Sequence, residues 1–359
     1  NGYVLTAQSG NTGGLTWVEA SAGVSAIDGL SDATADSTTL GLGSGALAND
    51  DGTSNYNTAV GLNALNTMTS GSNNTAIGYY ALQDATISVD NVAVGTNALF
   101  NNTSGSRQVS IGSGALHTNI TGAQNTGVGF QALYNNTSND NTGVGAYALH
   151  TNTSGASNSS LGYSSLNANS TGGSNVAVGY EALRRNTTAS NNVAIGYQAV
   201  KNNTEGDKNV GIGTGALLNN TEAVMNTAVG YQALLGSSAN TNGHRNTAIG
   251  HQALFRISSG TKNTAVGNTA GDAITTGGNN TLLGYNAAAS AATVSNEITL
   301  GDANVTSFRI PGLQSSASNG QVMTYNSSSG NIELAAVPAA DYIFYENSTT
   351  VSTNYTITS

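Results

Sequence analysis

A short unit that repeats along most of the chain constrains the fold more than any other feature of the sequence. The unit is a hydrophobic residue, a Gly, two variable residues and then Ala-Leu or a close variant, and its glycines run from Gly43 to Gly301 in sixteen copies. Twelve of the fifteen intervals between these glycines are 17 residues long, and the other three are 18, 16 and 20. A fixed period of this length predicts a stack of equivalent structural units.

Each copy is typical of one coil of a parallel β-solenoid. A β-branched residue, a small residue and a Val, Ile or Leu precede the Gly, as in Thr58-Ala59-Val60, and this period-two alternation indicates a strand. We predict a strand of about five residues, a tight turn at the Gly and a second short strand that carries Ala-Leu. The predicted fold class is all-β, a parallel β-solenoid or β-roll of about sixteen 17-residue coils. A helical repeat is disfavoured, because 17 residues cannot hold two packed helices and Gly, Asn and Thr crowd every copy.

The pattern also predicts which positions are buried. The residue before the Gly is Val, Ile or Leu in all sixteen copies, so we expect it to face inward together with the Thr or Val two residues earlier. All three changes of length fall between Ala-Leu and the next Asn, so this polar segment is expected to face solvent. About four inward apolar side chains per coil make a small core, and the Ala before the Leu would let another backbone approach. We therefore predict a homo-oligomeric fibre whose chains share a core.

Two further columns are predicted to hold the coil in shape. The Gly after the strand is expected to make the turn, and the Asn that opens most copies is expected to form a hydrogen-bonded ladder along the stack. The turn glycines include Gly61, Gly78, Gly95, Gly112, Gly179, Gly196, Gly213 and Gly230. The ladder includes Asn57, Asn74, Asn91, Asn175, Asn192, Asn209 and Asn226.

Composition excludes several classes of protein. A net charge of −10 with only nine Lys and Arg argues against a nucleic-acid partner, because phosphate binding needs clustered cations. The absence of Cys excludes disulfides and thiolate metal sites. No apolar run approaches the roughly 18 residues of a membrane span, so no membrane insertion is predicted. The chain opens at Asn1 without Met and stops after "NYTITS", and we expect it to be part of a longer or processed protein.

The repeats resemble those of two families of surface proteins. "NVAVG" (residues 175–179), "NNVAIG" (191–196) and "NTAIG" (246–250) look like the head repeats of YadA-type trimeric autotransporter adhesins. That resemblance implies a left-handed parallel β-roll in an intertwined homotrimer, although the repeats here are longer and no heptad stalk or anchor barrel is present.

The longer unit "NTAVGYQAL" and its flanks are more similar to phage tail fibres, particularly those of marine phages. The flanking phrases that carry this resemblance are "NGYVLTAQSGNTGGLTW" (residues 1–17), "EITLGDANVTSFRIPGL" (297–313), "NGQVMTYNSSSGNIEL" (319–334) and "YENSTTVSTNYTITS" (345–359). They divide the chain into an N-terminal connecting module at residues 1–38, a solenoid rod at 39–305 and a C-terminal connecting module, expected to be truncated, at 306–359.

The resemblance implies a structural role outside the host cell. We expect the rod of a phage tail fibre or similar virion appendage, which contacts other virion tail proteins and supports attachment to a glycan or protein receptor on the host surface. The alternative is a trimeric autotransporter-type adhesin on a bacterial outer surface. A polysaccharide depolymerase tailspike is a more distant third.

Enzymatic chemistry has little support in the sequence. Few acids lie within the repeats' strands, namely Glu181, Glu297 and Asp302, and no two fall at a spacing that suggests a glycosidase pair. His117 and His150 share a register but lie two coils apart, about 10 Å, which is too far for one metal ion. We predict no catalytic residue, no cofactor and no metal site.

Aromatic residues directly after the turn Gly are the candidate binding feature. We name Tyr79, Tyr163, Tyr180, Tyr197 and Tyr231 as possible glycan contacts, with the arc at residues 236–245 as a second candidate. Alternatively, stacked Tyr rings only cover the turn and stiffen the rod. The N-x-S/T sequences at Asn102, Asn119 and Asn152 are expected by chance in a chain this rich in Asn, Ser and Thr. An ice-binding surface is disfavoured, because it needs outward Thr columns and the Thr position is predicted to point inward.

Overall fold

The computed structural model describes residues 3–7, 15–19, 33–35, 38–51, 55–236, 243–307, 321–326 and 331–336, with side chains in 38–51, 55–236 and 243–307. These ranges form strands and turns and contain no helix, which confirms the prediction of an all-β parallel solenoid. The chain divides into two compact units, Asn1–Asp302 and Ala303–Ser359. The phrase at residues 345–359 lies outside the described residues.

The strands, in chain order, are β1 (Tyr3–Ala7), β2 (Leu15–Glu19), β3 (Ala33–Ala35), β4 (Leu40–Leu42), β5 (Thr58–Val60), β6 (Thr75–Ile77), β7 (Val92–Val94), β8 (Val109–Ile111), β9 (Thr126–Val128), β10 (Thr142–Val144), β11 (Ser159–Leu161), β12 (Val176–Val178), β13 (Val193–Ile195), β14 (Val210–Ile212), β15 (Thr227–Val229), β16 (Thr247–Ile249), β17 (Thr264–Val266), β18 (Thr281–Leu283), β19 (Ile298–Leu300), β20 (Gln321–Asn326) and β21 (Asn331–Ala336).

The solenoid is the ladder from β4 to β19, sixteen strands in about fifteen turns. Each strand pairs in parallel with the next one, and equivalent residues of successive copies face each other, as Ala59 faces Ala76. β3 pairs antiparallel with β4, so residues 33–35 of the expected N-terminal module extend the sheet. β1 and β2 form an antiparallel pair, and in the second unit β20 and β21 form another. The two similar flanking phrases, 1–17 and 319–334, therefore contain the same type of two-stranded element.

The strands differ from the prediction in length and number. Each solenoid strand has three residues instead of about five, and Ala-Leu lies in a series of turns instead of a second strand. In the coil that begins at Gly179, Glu181 and Leu183 have φ of 54° and 50°, which is the left-handed region. A strand cannot pass through alternate left-handed residues, so the backbone turns twice, closed by hydrogen bonds from Ala182 N to Gly179 O and from Asn186 N to Leu183 O.

Burial of the Leu side chain compensates for this unusual backbone. A left-handed conformation costs a non-glycine residue roughly 1–2 kcal/mol. Full burial of a Leu side chain contributes about 1.5–3 kcal/mol, and Leu183 is completely buried, as are its equivalents in most coils. The Leu column therefore keeps its conformation because the core holds it.

The prediction of which strand residues face inward was wrong. In β4 to β18 the central residue of the strand is buried, completely so at Ala59, Ala177 and Ala194, whereas the flanking residues are partly buried or exposed. Among the residues before the Gly, Leu161 is 51% exposed and Ile195 is 38% exposed. The reason is space, because an inward Cβ at the strand centre already touches the opposite wall. At Gly127 a Cβ would lie 3.2 Å from Leu116 Cγ and 3.3 Å from Ala132 O.

The Ala before the Leu also has a different neighbour from the one expected. Ala132 and its equivalents are buried within the chain's own coil, opposite the strand centre, so the backbone that approaches them belongs to the same chain. A small core and an Ala column therefore do not by themselves imply a second chain. Any such argument must come from the outward side of the strands.

The turn glycines occupy a conformation that other residues avoid. Gly179 has φ of +131°, and a Cβ placed on it would lie 2.4 Å from the carbonyl oxygen of Gly196 in the next coil. The other seven turn glycines named above have φ between +126° and +139°. Both strain and close stacking thus require Gly at this corner.

The Asn that opens thirteen of the sixteen copies forms a buried column along the stack. Asn175 Oδ1 accepts a hydrogen bond from the backbone N–H of Asn192 at 3.0 Å, and Asn192 Oδ1 accepts one from Asn209 N at 2.8 Å. The Nδ2 group of Asn175 donates to Ala189 O at 2.9 Å, which fixes the start of the next coil's turn. The same bond from side-chain oxygen to backbone N–H links Asn57, Asn74 and Asn91, and it links Asn209 to Asn226.

A second Asn column, absent from the sequence-based prediction, lies three residues after the Leu. Its side chains are almost completely buried, and neighbouring amides bond to each other at 2.7 Å from Asn169 to Asn152 and from Asn186 to Asn169. The members are Asn102, Asn119, Asn136, Asn152, Asn169, Asn186, Asn203 and Asn220. The three N-x-S/T asparagines named above, Asn102, Asn119 and Asn152, belong to this column, so in the folded chain their amides are inaccessible to modification.

Replacement of Gly179 by Ala tests the corner. We expect Gly179→Ala to lower the free energy of unfolding by about 2 kcal/mol or more, since a strained conformation costs about 1–3 kcal/mol and the methyl group overlaps Gly196 O. Gly215→Ala is the control, because its φ is +65° and its Cβ would lie 3.5 Å from the nearest atom. Equal losses of melting temperature in the two variants would contradict this account.

Val200 and Gly211 form a compensating pair. Val200 stands where most coils have Leu, and Gly211 stands at the centre of the next strand, where Ala is the commonest residue. A Cβ on Gly211 would lie 2.4 Å from Val200 Cγ2. We expect Gly211→Ala to cost about 1–3 kcal/mol of stability through overpacking, and Val200→Leu to recover most of it in the double variant. Thermal denaturation and hydrogen exchange in β14 measure both effects.

Gly127→Ala is the matched control for this pair, because Leu116 already occupies the position below it. It should be tolerated better than Gly211→Ala. A double variant no more stable than Gly211→Ala alone would show that the two positions are not coupled.

Candidate functional site

The outward side of the strands carries a strip in which one column of side chains is aliphatic throughout and the other mixes aliphatic residues with Thr and Ser. One column consists of the Thr, Val or other residue that begins each strand, and the other of the Val, Ile or Leu that ends it. We call these two columns the aliphatic strip. Since both columns point away from the coil interior, the Thr residues at 58, 75, 126, 142, 227, 247, 264 and 281 face outward, contrary to the prediction.

The Tyr residues after the turn Gly form a second outward column, the tyrosine column. Tyr163, Tyr180 and Tyr197 stack along the rod with ring centroids 5.3 and 5.4 Å apart and planes tilted by 13° and 10°. Tyr231 stacks on His251 at 5.2 Å. Tyr79 instead contacts the neighbouring Tyr80, with centroids 4.0 Å apart.

Stacking determines what this column can bind. Both faces of Tyr180 are covered by Tyr163 and Tyr197, so only its edge and hydroxyl point to solvent. A sugar lying along the outside of the column would meet ring edges there, whereas sugar recognition by aromatic residues uses the ring face. Free faces occur only where the stack ends.

A further stacked column follows the Leu, which the sequence-based prediction did not identify. Phe100, His117, Tyr134 and His150 stack in order, with centroids 5.3, 4.8 and 5.4 Å apart and planes within 17° of parallel. The Tyr134 ring fills the space between the two histidines that share a register. This column therefore packs aromatic rings and does not form a metal site.

Burial favours the neutral form of both histidines in this column. It lowers the pKa of His150, and it lowers the pKa of His117 against a smaller opposing effect of the Asp84 carboxylate. The His117 Nδ1 atom is buried and has no hydrogen-bond partner among the described residues, so a proton added there would have no acceptor. Burial likewise raises the pKa of Asp84, with a smaller opposing effect of His117.

Glu181, the acid within the repeat core that is most buried, makes a structural ion cluster. Its Oε1 atom lies 2.8 Å from Arg184 Nη1, and its Oε2 atom lies 2.7 Å from Lys201 Nζ and accepts a bond from Gln198 Nε2. Burial by itself would raise the pKa of Glu181, but the hydrogen bonds from Lys201 and Gln198 and the two positive charges outweigh it and lower the pKa. A carboxylate held ionised in this way joins two coils.

The other sequence-predicted features lie apart from one another. Glu297 bonds to Ser290 and Thr299, and Asp302 is at the end of the first unit, so neither approaches Glu181. Among residues 38–51, 55–236 and 243–307 no group of three or more His, Asp or Glu side chains is placed to hold a metal ion. Of the arc at residues 236–245, positions 237–242 lie outside the described residues.

Comparisons of the chain with known proteins find no match. No protein-family model matches the chain, and comparison with curated proteins and with solved structures finds no similar protein. Within the described part of the chain, no helix has the length and apolar character needed to cross a membrane.

The histidine column predicts loss of stability in mild acid. Because the folded-state pKa values of His117 and His150 lie below the unfolded value of about 6.5, their contribution is complete above that pH and is lost as the pH falls through the folded values. We expect the melting temperature to fall between pH 7.5 and 5, with faster hydrogen exchange around residues 99–150. The double variant His117→Phe, His150→Phe keeps the stack and should flatten this dependence.

An unchanged pH profile in that double variant would assign the acid sensitivity to other groups. The variant Glu181→Gln is a useful comparison, since Glu181 has a lowered pKa and its contribution is lost only at lower pH, below its unfolded value of about 4.3.

Proposed function

We propose that this chain is a segment of the structural rod of a phage tail fibre or similar virion appendage, that it works as a homotrimer, and that it supports attachment to the host cell surface. The observation that carries the proposal is the aliphatic strip on a stack of sixteen in-register strands. Such a stack supplies length and stiffness, and the strip supplies a surface on which chains associate.

The strip extends along the whole stack. Fifteen steps of about 4.8 Å make it roughly 70 Å long, and a Val, Ile or Leu ends all sixteen strands, so apolar side chains follow one another over that length. A contiguous exposed apolar surface of this kind marks an interaction site. The exposed members include Ile77, Ile111, Leu161, Ile195, Ile249 and Leu283. Water contact along this whole length is unfavourable, so a partner surface is expected.

A second copy of the chain fits the strip best. The strip is uniform and repeats at the coil spacing, and another copy has the same spacing and the same small number of charges. Three copies, rather than two, are inferred from the resemblance of the repeats to intertwined homotrimers. Trimers also match the symmetric closed assemblies that homo-oligomers generally form.

The flanking phrases favour a virion over a bacterial envelope. Residues 1–17 and 297–334 resemble phrases of phage tail fibres, and such modules connect a rod to other virion tail proteins. Under this proposal the host receptor is a surface glycan or protein. The adhesin alternative shares the rod and the trimer and differs only in where the chain is displayed.

A depolymerase is the weaker proposal. Glu181 is neutralised by Arg184 and Lys201, so the acid of the repeats that is most buried is occupied structurally. Glycosidases need two carboxylates about 5–9.5 Å apart, and no described pair of carboxylates flanks a binding surface. Release of reducing sugar from host polysaccharide by the purified fibre would establish depolymerase activity.

Solution mass tests the role of the strip. We expect a mass near three times the chain's 35.9 kDa, and we expect Ile195→Glu together with Ile249→Glu to shift the mass toward one chain. Both side chains point outward in a single chain, so the β-sheet circular dichroism signal should persist. Light scattering after size exclusion measures the mass.

Thr188→Glu is the control, because Thr188 is exposed on a polar arc outside the strip. It should leave the mass unchanged. A wild-type mass near 35.9 kDa would refute the trimer, and if such a monomer slowed ice growth, its outward Thr column would become an ice-binding surface.

Gold labelling decides where the protein is displayed. Antibody against residues 39–305 should label virion tails in electron micrographs of the source culture. Label on the envelopes of uninfected cells would establish the adhesin instead.

A further inference from the structure

We propose that Tyr197, Thr214 and Tyr231 form a slot that takes one hexopyranose ring of a neutral host glycan. The inference rests on the proposed role in attachment and names the site and ligand class for it. The sequence predicts glycan contacts along the whole tyrosine column, whereas this proposal places the binding site at a single gap in that column.

The slot arises at Thr214, one of the coils in which the column has no aromatic ring. Backbone hydrogen bonds from Gly215 N to Tyr197 O and from Gln232 N to Thr214 O place these three residues on successive coils at the same corner. Tyr197 and Tyr231 are therefore two coils apart, with the short Thr214 side chain between them. Thr214 is exposed and forms the floor.

Each ring presents one free face to this space. The far face of Tyr197 is covered by Tyr180 at 5.4 Å, and the far face of Tyr231 is covered by His251 at 5.2 Å. Their near faces have only Thr214 between them. In agreement with this, Tyr197 is 52% exposed, compared with 44% for Tyr180, which has rings on both sides.

The width of the slot favours a saturated ring over a flat one. Two coil steps separate the ring planes by about 10 Å, and carbon atoms make contact at about 3.5–4 Å, so roughly 2–3 Å remains for the thickness of the guest. A planar aromatic ring has its atoms in one plane and would touch only one Tyr at a time. A pyranose ring carries hydroxyl and hydroxymethyl groups off the ring, so it stacks its C–H groups on one Tyr while a substituent fills the remaining space beside the other.

The side of the slot is open because the next residue is Gly215. In most other coils this position holds a longer side chain, and at the comparable interruption between Phe130 and Tyr163 that side chain is Tyr147. The Tyr147 ring fills that gap edge-on, 5.3 Å from Phe130 and 6.1 Å from Tyr163. Gly215 has no side chain to enter the gap, and the atoms nearest to where its Cβ would lie are Gln232 Cγ at 3.5 Å and Leu235 Cδ1 at 3.8 Å, so Gln232 borders this side of the slot.

The polar groups at the slot suit hydroxyl groups and no charge. Thr214 offers a hydroxyl at the floor. Gln232 accepts a bond from Gln252 Nε2 through its side-chain oxygen at 2.9 Å, which leaves its amide N–H groups to donate beside Tyr231. The nearest ion cluster pairs Glu181 with Arg184 and Lys201, so its carboxylate is already occupied.

Saturation-transfer NMR with cellohexaose, chitohexaose and maltohexaose, applied to the full chain, tests the slot. We expect at least one of these neutral hexasaccharides to bind with millimolar affinity, and Tyr197→Ala and Tyr231→Ala each to weaken it at least fivefold. The decisive variant is Thr214→Tyr, which places the column's own aromatic residue in the gap. It should abolish binding while preserving the melting temperature.

Thr96→Tyr is the matched control, since it adds a Tyr to the same column between Tyr79 and Ser113, where no slot exists. It should leave binding unchanged. No saturation transfer from any of the three sugars, or wild-type affinity in Thr214→Tyr, would overturn the slot. Virion labelling without sugar binding refutes the slot alone, whereas slot binding with label on uninfected cells refutes only the phage assignment.

Discussion

The fold depends on backbone hydrogen bonds between successive coils that are paired in register. These bonds set the step along the stack at about 4.8 Å, so every side chain lies directly above its own counterpart one coil away. A residue type is kept in a column only if it tolerates a copy of itself at that distance. Amides satisfy this by bonding to each other, aromatic rings by stacking, and Ala and Leu by packing. Charges do not, which is consistent with a chain in which only 8% of residues are charged and with a Glu181 that is compensated by two cations.

Much of the fold could be predicted because the repeats act as an internal alignment. The Gly spacing gave the coils and their number, and the alternation around Ala59 gave the strands. The alternation could not show which residues face inward. A strand with Thr58 and Val60 inward and a strand with Ala59 inward have the same period of two. The size of the interior decides that question, and only the opposing Leu column reveals it. The left-handed Leu was missed because Leu rarely adopts that conformation, yet the signal was present at Gly271, which replaces Leu in the same column at φ of +64°.

The candidate site shows the same division. The tyrosine column and its missing ring at Thr214 can be located from spacing alone. Whether a missing ring leaves a space depends on the neighbouring column, because Tyr147 fills the interruption at Ala146, whereas Gly215 has no side chain to fill the one at Thr214. The second Asn column was also visible, at a constant three residues after the Leu in eight successive coils, but it was hidden within a segment assigned to solvent because of its polarity. Polar residues in this protein are as much a part of the interior as apolar ones.

In-register pairing has a consequence for how such a chain changes over generations. Recombination between any two copies joins a coil to its equivalent, so the product has the same turns, columns and outer surface and differs only by whole coils. Each coil gained or lost changes the length of the solenoid by about 4.8 Å. The core of every remaining coil is packed as before. The three coils of 18, 16 and 20 residues show that even imperfect joins are absorbed at one corner. The length of the solenoid can therefore change in small equal steps. The same exchanges create or remove any site that depends on a particular order of coils, such as the interrupted tyrosine column.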